Sequence, residues 1–328
     1  MELKEAKVLI GMPNYMNMVP SEVYANHIEC VRQWTDMGLD FQFLVVGRNF
    51  VHFARSRICQ AAVDGGWTHI LWLDDDAIID PDILPRFINH NKDVVVAPYP
   101  MRRSPFEIGC LLSTQYNCPN DHDSVSLDKT FKELDADYPH CETCGEAMVR
   151  DFHNHSAYKN ICAHDLDSGL REIDGGGTHC MLIDTGCLTR KPTKDAVAYP
   201  PALMKMLEGM SKEERSIMDH NIGNLPDTDM SFHDEDSSDR PYFVMPKSGT
   251  EDMLWCYRAK SKGFKIWCDT DVFANHVGFT PVVTREFREK MEGIDATDPD
   301  FSNGVAILKV QEGRDHTKVV KGRDASLI

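Results

Sequence analysis

Nowhere in these 328 residues does an apolar run approach the roughly 20 residues that a membrane-spanning helix needs, so no membrane partner is expected. No apolar leader precedes the first strand-like stretch either. Met1-Glu2-Leu3-Lys4-Glu5-Ala6-Lys7 is mixed and charged, which makes the cytoplasm the expected location. Positive charge is scarce: 35 lysines and arginines face 52 aspartates and glutamates, for a formal net charge of −17. That disfavours a broad electrostatic grip on nucleic acid or an anionic membrane and leaves room only for a local basic groove. The eleven cysteines lack a secretory setting, so reduced thiols and a metal site are expected in place of a disulfide framework. A glycine-rich, basic phosphate loop is also missing after the first strand, where Met12-Pro13-Asn14-Tyr15 stands.

Hydrophobic residues make up 42% of the chain, enough for a packed core, and the length suits one large α/β domain with insertions or two domains. Strand-like runs at 8–15, 41–46, 69–73 and 94–98 alternate with helical stretches at 21–37, 50–63 and 81–89. Ser21 is positioned to cap the first helix, and Gly38 and Gly65-Gly66 stop the first two. Asp80 before Pro81 reads as the start of the third. This alternation predicts a mostly parallel sheet flanked by helices, a Rossmann-like α/β fold.

The chain is organised around His69-Ile70-Leu71-Trp72-Leu73-Asp74-Asp75-Asp76. Five mostly apolar residues read as a buried strand, and ligands gather at the carboxyl ends of strands in open α/β sheets. Three adjacent carboxylates repel one another there unless a cation or donors offset them. A divalent metal carrying a phosphorylated ligand is therefore expected, against the plainer reading of a solvated acidic turn.

Periodicity fades between about residues 105 and 170, where cysteine and histidine crowd together. Cys141-Glu142-Thr143-Cys144-Gly145 forms a CxxCG knuckle whose two thiolates can face one zinc ion. Cys118 and Cys162 would complete a four-thiolate set, and any of the nearby histidines can replace one of them. A redox CxxC would need a strand before it and a clear helix after it. This stretch reads as a zinc-stapled insert, too small to bury a core by itself. Beyond it, Asp174-Gly175-Gly176-Gly177-Thr178-His179 leads into an apolar strand, and its glycines permit close backbone approach to a ligand or serve as a hinge. The segment 191–239 holds a helical stretch at 201–210 and an acidic, histidine-bearing loop. Thr250 caps a helix opening on Glu251-Asp252 and stopping at Gly263, with a strand at 264–268 and Asn275-His276-Val277-Gly278 after it. Acidic residues in a first helical turn also simply favour the helix dipole. A polar helix at 284–291 and a tail carrying Lys318, Lys321 and Arg323 close the chain, the tail being either a lid over phosphates or a solvated end.

Four stretches in this order resemble the metal-dependent GT-A glycosyltransferases, especially the compact GT2-like enzymes of bacterial and phage type. They are Ile10-Gly11-Met12-Pro13-Asn14-Tyr15, Leu71-Trp72-Leu73-Asp74-Asp75-Asp76 as a DxD strand, Glu251-Asp252 as an ED helix, and Asn275-His276-Val277-Gly278. The resemblance covers roughly 7–106 and 171–278. It implies a nucleotide-binding half over 1–106 and a catalytic and acceptor half over 171–280, and leaves outside it the cysteine-rich insert over 107–170, with its expected zinc, and a tail over 281–328.

The implied reaction moves a sugar from a nucleotide-diphosphate sugar, UDP-linked by expectation, to a saccharide, protein or modified nucleic-acid acceptor. Mn²⁺ or Mg²⁺ would neutralise the departing diphosphate. By the resemblance, Asp74, Asp76 and His276 are metal ligands, Asp76 most directly, while Asp74 also suits the ribose or a metal-held water. Pro13, Asn14, Tyr15, Arg55, Asp74 and Asp75 would hold the nucleotide, and Gly176, Gly177 and Thr178 the sugar or acceptor. Asp252 is the expected general base, with Glu251 as runner-up, and inversion follows from such a base. A haloacid-dehalogenase-type phosphatase is disfavoured because Ala77-Ile78-Ile79 follows the acidic run where Gly-Thr or Gly-Val is wanted. A nucleotidyltransferase, transfer to modified DNA bases, and a non-enzymatic zinc scaffold are the remaining rivals.

Overall fold

Elements in the first third are β1 (Lys7–Asn14), α1 (Ser21–Asp36), β2 (Asp40–Gly47), α2 (Val51–Asp64), β3 (His69–Leu73), β4 (Ala77–Ile78), α3 (Ile83–His90) and β5 (Val94–Val96). Next come β6 (Cys110–Ser113), β7 (Gln115–Asn117), β8 (Ser124–Ser126), α4 (Phe131–Ala136), β9 (Val149–Arg150) and β10 (Tyr158–Asn160). Then follow β11 (Leu170–Ile173), β12 (Gly175–Gly176), β13 (Cys180–Asp184), α5 (Gly186–Thr189), α6 (Glu251–Ser261), β14 (Ile266–Asp269) and β15 (Asn275–His276). The hairpin β16 (Ile307–Val310) and β17 (Thr317–Val320) ends the series. The structure is a computed structural model that describes residues 3–101, 107–127, 129–136, 139–151, 157–161, 165–189, 242–243, 245 and 250–277, with the backbones of 307–310 and 317–320. The helical stretches expected at 201–210 and 284–291, the acidic loop ending at 239, and Lys321 and Arg323 of the tail lie outside the described residues.

Seven strands form the central sheet in the order β11-β14-β5-β13-β3-β1-β2. Five of them, β2, β1, β3, β5 and β14, run the same way, so the sheet is mostly parallel as the alternation predicts. β13 enters antiparallel between β3 and β5, and β11 is antiparallel on the edge. The two-residue period of the strands sends side chains into two separate cores. Leu9, Ile70, Trp72, Val94, Val96, Met181 and Ile183 pack on one face with α2 and α6. Val8, Ile10, Leu71, Leu73, Val95 and Leu182 pack on the other with α1 and α3. Both faces being covered explains why these strands read as near-continuous apolar runs. No helix among the described residues is long and apolar enough to cross a membrane.

The insert makes one small three-stranded sheet, β8-β7-β9, and its β10 and β6 join β12, which lies beyond the insert, in a second, β10-β6-β12. Its apolar residues Ile108, Cys110, Leu112, Tyr116, Phe131 and Leu134 join the α2/α6 core and form no core of their own. A short insert cannot bury enough surface alone, so it borrows the main domain's face.

The helix starts differ from expectation. Pro20, not Ser21, occupies the N-cap of α1, and the Ser21 hydroxyl bonds the Glu22 carboxylate. α3 begins at Ile83, two residues after Pro81, because the Asp80 carboxylate accepts the Asp82 N–H at 3.0 Å and closes a side-chain turn first. Thr250 does sit at the N-cap of α6, but its hydroxyl is drawn to the Asp252 carboxylate and caps no backbone amide.

α3 is clamped to the end of β14 by charge. The fully buried Asp269 carboxylate accepts Arg86 Nη2 at 3.0 Å and Arg86 Nε more closely, with His90 Nε2 at 2.6 Å, and Arg86 also reaches Asp271 at 2.7 Å. Burial alone would raise the Asp269 carboxyl, but Arg86 and His90 outweigh it and hold the group below its ordinary value. A depressed carboxyl contributes stability above its unfolded pKa of about 3.9 and loses it as pH falls through the lower folded value. Acid titration of the melting temperature is therefore expected to steepen below about pH 4. The Asp269→Asn variant should be less stable at neutral pH and flatter across that window. An identical acid profile in both proteins would refute the assignment.

Candidate metal and catalytic site

β3 ends buried, and Asp74, Asp75 and Asp76 follow it in a turn closed by the Ala77 N–H on the Asp74 carbonyl at 3.1 Å. Helix α1 holds this turn from one side. Asn26 exchanges two hydrogen bonds with the Ile79 backbone, at 2.8 and 3.0 Å, and His27 Nε2 lies 3.0 Å from the Ala77 carbonyl. From the other side β15 pairs with β4 in the register His276↔Ala77, and the Val277 N–H bonds the Asp76 carbonyl at 2.8 Å. Because β13 runs antiparallel to β3, its first residues lie beside the end of β3, and the Asp74 N–H bonds the His179 carbonyl at 3.2 Å.

Three side chains meet as a result. Asp76, His179 and His276, all buried, present ligand atoms that lie within 4.8 Å of one another. His276 Nδ1 stands 3.0 Å from the Pro100 carbonyl and His179 Nε2 stands 3.1 Å from the Asn275 carbonyl. A carbonyl can only accept, so these nitrogens carry the ring protons. The opposite nitrogens both face the Asp76 carboxylate, His276 Nε2 at 3.4 Å and His179 Nδ1 at 3.5 Å. A proton on these nitrogens or a cation held between them and the carboxylate satisfies that geometry, and the second makes the three groups one ligand set. Imidazoles fixed by backbone carbonyls on their far side are the usual arrangement of metal-bound histidines. The donor set fits a divalent metal.

Beside this group stands a buried charge network. Arg55, on α2, donates from Nη2 to Asp74 Oδ1 at 2.9 Å and from Nη1 to Glu251 Oε1. Burial alone would raise the Asp74 carboxyl; Arg55 and His179 outweigh it and hold the group down at about 2. Burial instead prevails at Glu251, pushing its carboxyl up against the pull of Arg55, with the Asp252 charge adding to the rise. Tyr99, after β5, packs on both histidines, its ring centroid 4.8 Å from that of His179 and 5.8 Å from that of His276. Burial pushes its hydroxyl well above the ordinary phenol value, and the Asp252 and Asp74 charges act the same way. Gly177 makes room for it: a Cβ there would stand 1.9 Å from Tyr99 Oη.

The structure thus brings together Asp76 and His276 of the expected ligands, with His179 as a third. Asp74 lies alongside, one oxygen engaged by Arg55 and the other 3.7 Å from His179 Nδ1. Asp75 is half-buried in the same turn. Register Gly11↔Trp72 carries Pro13, Asn14 and Tyr15 to the same sheet edge as the acidic turn. There Asn14 Oδ1 accepts the Met18 N–H at 3.1 Å, and the exposed Tyr15 ring stacks on Phe50 with centroids 6.3 Å apart. Gly176 packs on Val96 and Gly177 on Tyr99, while Thr178 is buried next to His179. Asp252 is half-buried at the start of α6, where its carboxylate accepts the Met253 N–H at 2.8 Å. Gly278, beyond His276, lies outside the described residues. His179 and Tyr99 carry no signal in the sequence, since a histidine before one strand and a tyrosine after another meet only through the sheet order.

A second group, in the insert, gathers Cys118, His122, Cys141 and Cys144. Three of the expected zinc ligands are among them. Cys162 lies outside the described residues.

No protein-family model and no curated protein matches this chain. Among solved structures, A197 from STIV aligns at TM-score 0.39 and 12% identity, over 85% of this chain and 91% of that one. A glycosyltransferase involved in the glycosylation of the major capsid of PBCV-1 aligns at TM-score 0.22 and 18% identity, over 30% and 53%. A UDP-glucose pyrophosphorylase from Leishmania major, in complex with UDP-glucose, aligns at TM-score 0.28 and 12% identity, over 64% and 53%. At such values these similarities name glycosyl- and nucleotidyltransferase structures as neighbours without assigning the chain to a family.

Proposed function

We propose that this protein is a divalent-metal-dependent glycosyltransferase of GT-A type, moving a sugar from a nucleoside-diphosphate sugar to an acceptor hydroxyl with inversion. The convergence of Asp76, His179 and His276 at the end of β3, beside the Arg55–Asp74 pair, carries this reading. Those three residues would hold the ion. Two imidazoles suit Mg²⁺ poorly, since it prefers oxygen ligands, so Mn²⁺ is the better occupant. Bound there, the metal supplies Lewis-acid neutralisation of the leaving diphosphate.

The chain's own groups do the rest. Arg55 keeps Asp74 ionised and oriented, so that its carboxylate can accept the ribose hydroxyls, with Asp75 in support. Pro13, Asn14 and Tyr15 border the nucleoside, and Gly176, Gly177 and Thr178 form the wall behind the sugar. Asp252 takes the proton from the acceptor hydroxyl. Glu251 is bound to Arg55 and acts as a positioning residue, which leaves Asp252 as the base. A saccharide or protein acceptor suits the acidic chain better than DNA does.

The test is the product. With Mn²⁺ and a panel of UDP-sugars, release of the nucleoside diphosphate is expected; no such release, with pyrophosphate formed instead from a nucleoside triphosphate and a sugar 1-phosphate, would establish a nucleotidyltransferase at the same site. Asp252→Asn should lower turnover by about 10²–10⁴-fold while Mn²⁺ affinity and melting temperature hold. Near-normal transfer by that variant would remove Asp252 from the mechanism.

A further inference from the structure

We infer that Cys118, His122, Cys141 and Cys144 bind one structural Zn²⁺, and that this ion fixes strand β9 so that Arg150 reaches the buried Asp174 carboxylate, which Lys260 of α6 also holds. Zn²⁺ with Zn–S near 2.3 Å and Zn–N near 2.05 Å places neighbouring ligands about 3.8 Å apart for two sulfurs and about 3.6 Å for sulfur and nitrogen. Cys118 Sγ lies 3.6 Å from Cys144 Sγ and 3.8 Å from His122 Nδ1, and Cys141 Sγ lies 3.9 Å from the same nitrogen. These match three of the six edges of such a tetrahedron, and all four ligand atoms lie within 4.8 Å of one another. A disulfide does not explain them, because the sulfurs stand well beyond the bonding distance of about 2.05 Å and three thiols converge.

Two knuckles present the ligands. In the first, the Asn120 N–H points at Cys118 Sγ at 3.3 Å, and a C-x3-H spacing brings His122 back to it. In the second, the Gly145 N–H closes on the Cys141 carbonyl at 2.8 Å, and Gly145 takes φ 74°, a left-handed turn that favours glycine. Amide donors aimed at sulfur favour thiolates, and four protein ligands close the shell, as structural zinc sites do.

The two knuckles tie the end of β7 to the start of β9, and Arg150 lies in the β7–β9 pair opposite Tyr116. Its guanidinium donates to the Glu172 carbonyl at 3.2 Å and lies 3.1 Å from the buried Asp174 carboxylate. Lys260 of α6 donates to the other Asp174 oxygen at 2.6 Å. The chain of contact runs from the zinc through β9 to the helix that carries Glu251 and Asp252.

The test uses the full-length protein, refolded or exchanged with Co²⁺ in place of Zn²⁺. A thiolate-to-cobalt charge-transfer band in the near ultraviolet, with strong visible bands of tetrahedral cobalt, is expected. That signature cannot come from the Asp76 site, which holds no thiolate, so its presence is independent of any transferase activity. Cys144→Ser, at the exposed ligand, should abolish the band, His122→Ala should weaken and shift it, and Cys162→Ser should leave it unchanged. Removal of the ion should raise amide hydrogen exchange in 108–151 and at Gly175 and Gly176, with β1 and β3 still protected. Absence of a thiolate band, or loss of it in Cys162→Ser with His122→Ala unaffected, overturns the ligand set. Unchanged exchange at Gly175 and Gly176 overturns the coupling to α6.

Discussion

His179→Ala is expected to weaken Mn²⁺ binding by at least about 10²-fold, and to take nucleoside-diphosphate release down with it, in a protein that still folds. The residue offers one of three donor atoms, and its loss leaves two ligands where the site needs three. The same measurement on His276→Ala and Asp76→Asn should give losses of similar size. The double variant of both histidines should fall little further than either alone, because ligands of one ion act as a unit. Paramagnetic resonance of free Mn²⁺ during titration reads the binding directly and needs no substrate. Chelation should silence the wild-type enzyme, and added Mn²⁺ should restore it more fully than Mg²⁺ does. If His179→Ala bound Mn²⁺ as tightly as the parent, the metal would have to sit elsewhere.

Replacing Arg55 with methionine should cost about 3–5 kcal/mol of stability, the range for stranding the partners of a buried ion pair. Its side chain is only 5% exposed and serves two carboxylates, on Asp74 and Glu251, which are 25% and 8% exposed. Part of the loss should return in the double variant Arg55→Met with Glu251→Gln, since one stranded charge is then gone. Denaturant unfolding of the single and double variants measures both quantities. A single-variant loss under about 1 kcal/mol would mean that water already reaches these carboxylates, as at an ordinary surface pair. Lysine at 55 is a weaker rescue than its charge suggests, because one ammonium cannot replace a guanidinium fork spanning two acceptors.

Local signals carried most of the central sheet. Buried runs at β1, β3, β5 and β13, with helical periods between them, report strands and helices because each residue's neighbours in sequence are also its neighbours in the element. The Cys141–Cys144 knuckle was legible for the same reason, its two thiols being three residues apart. Helix starts were less so: Ser21, Asp80 and Thr250 all have capping side chains, and each spends its oxygen on a different partner. Competing partners nearby, a carboxylate for Ser21 and Thr250 and the Asp82 N–H for Asp80, settled those contacts.

From the sequence alone came the acidic tip after a buried strand, a late histidine, an acidic helix start and a cysteine-rich insert in the right order. Asp76 and His276 are joined by the β4–β15 pair across 200 residues, a register that no local pattern encodes. His179 enters only because β13 runs antiparallel beside β3, and Asp74 turns toward Arg55 only because α2 lies under the turn. Composition and period decide which residues are buried and which elements form. The sheet order decides which charged groups share one low-dielectric space, and there the geometry, with the partners it provides, sets what each carboxylate can do.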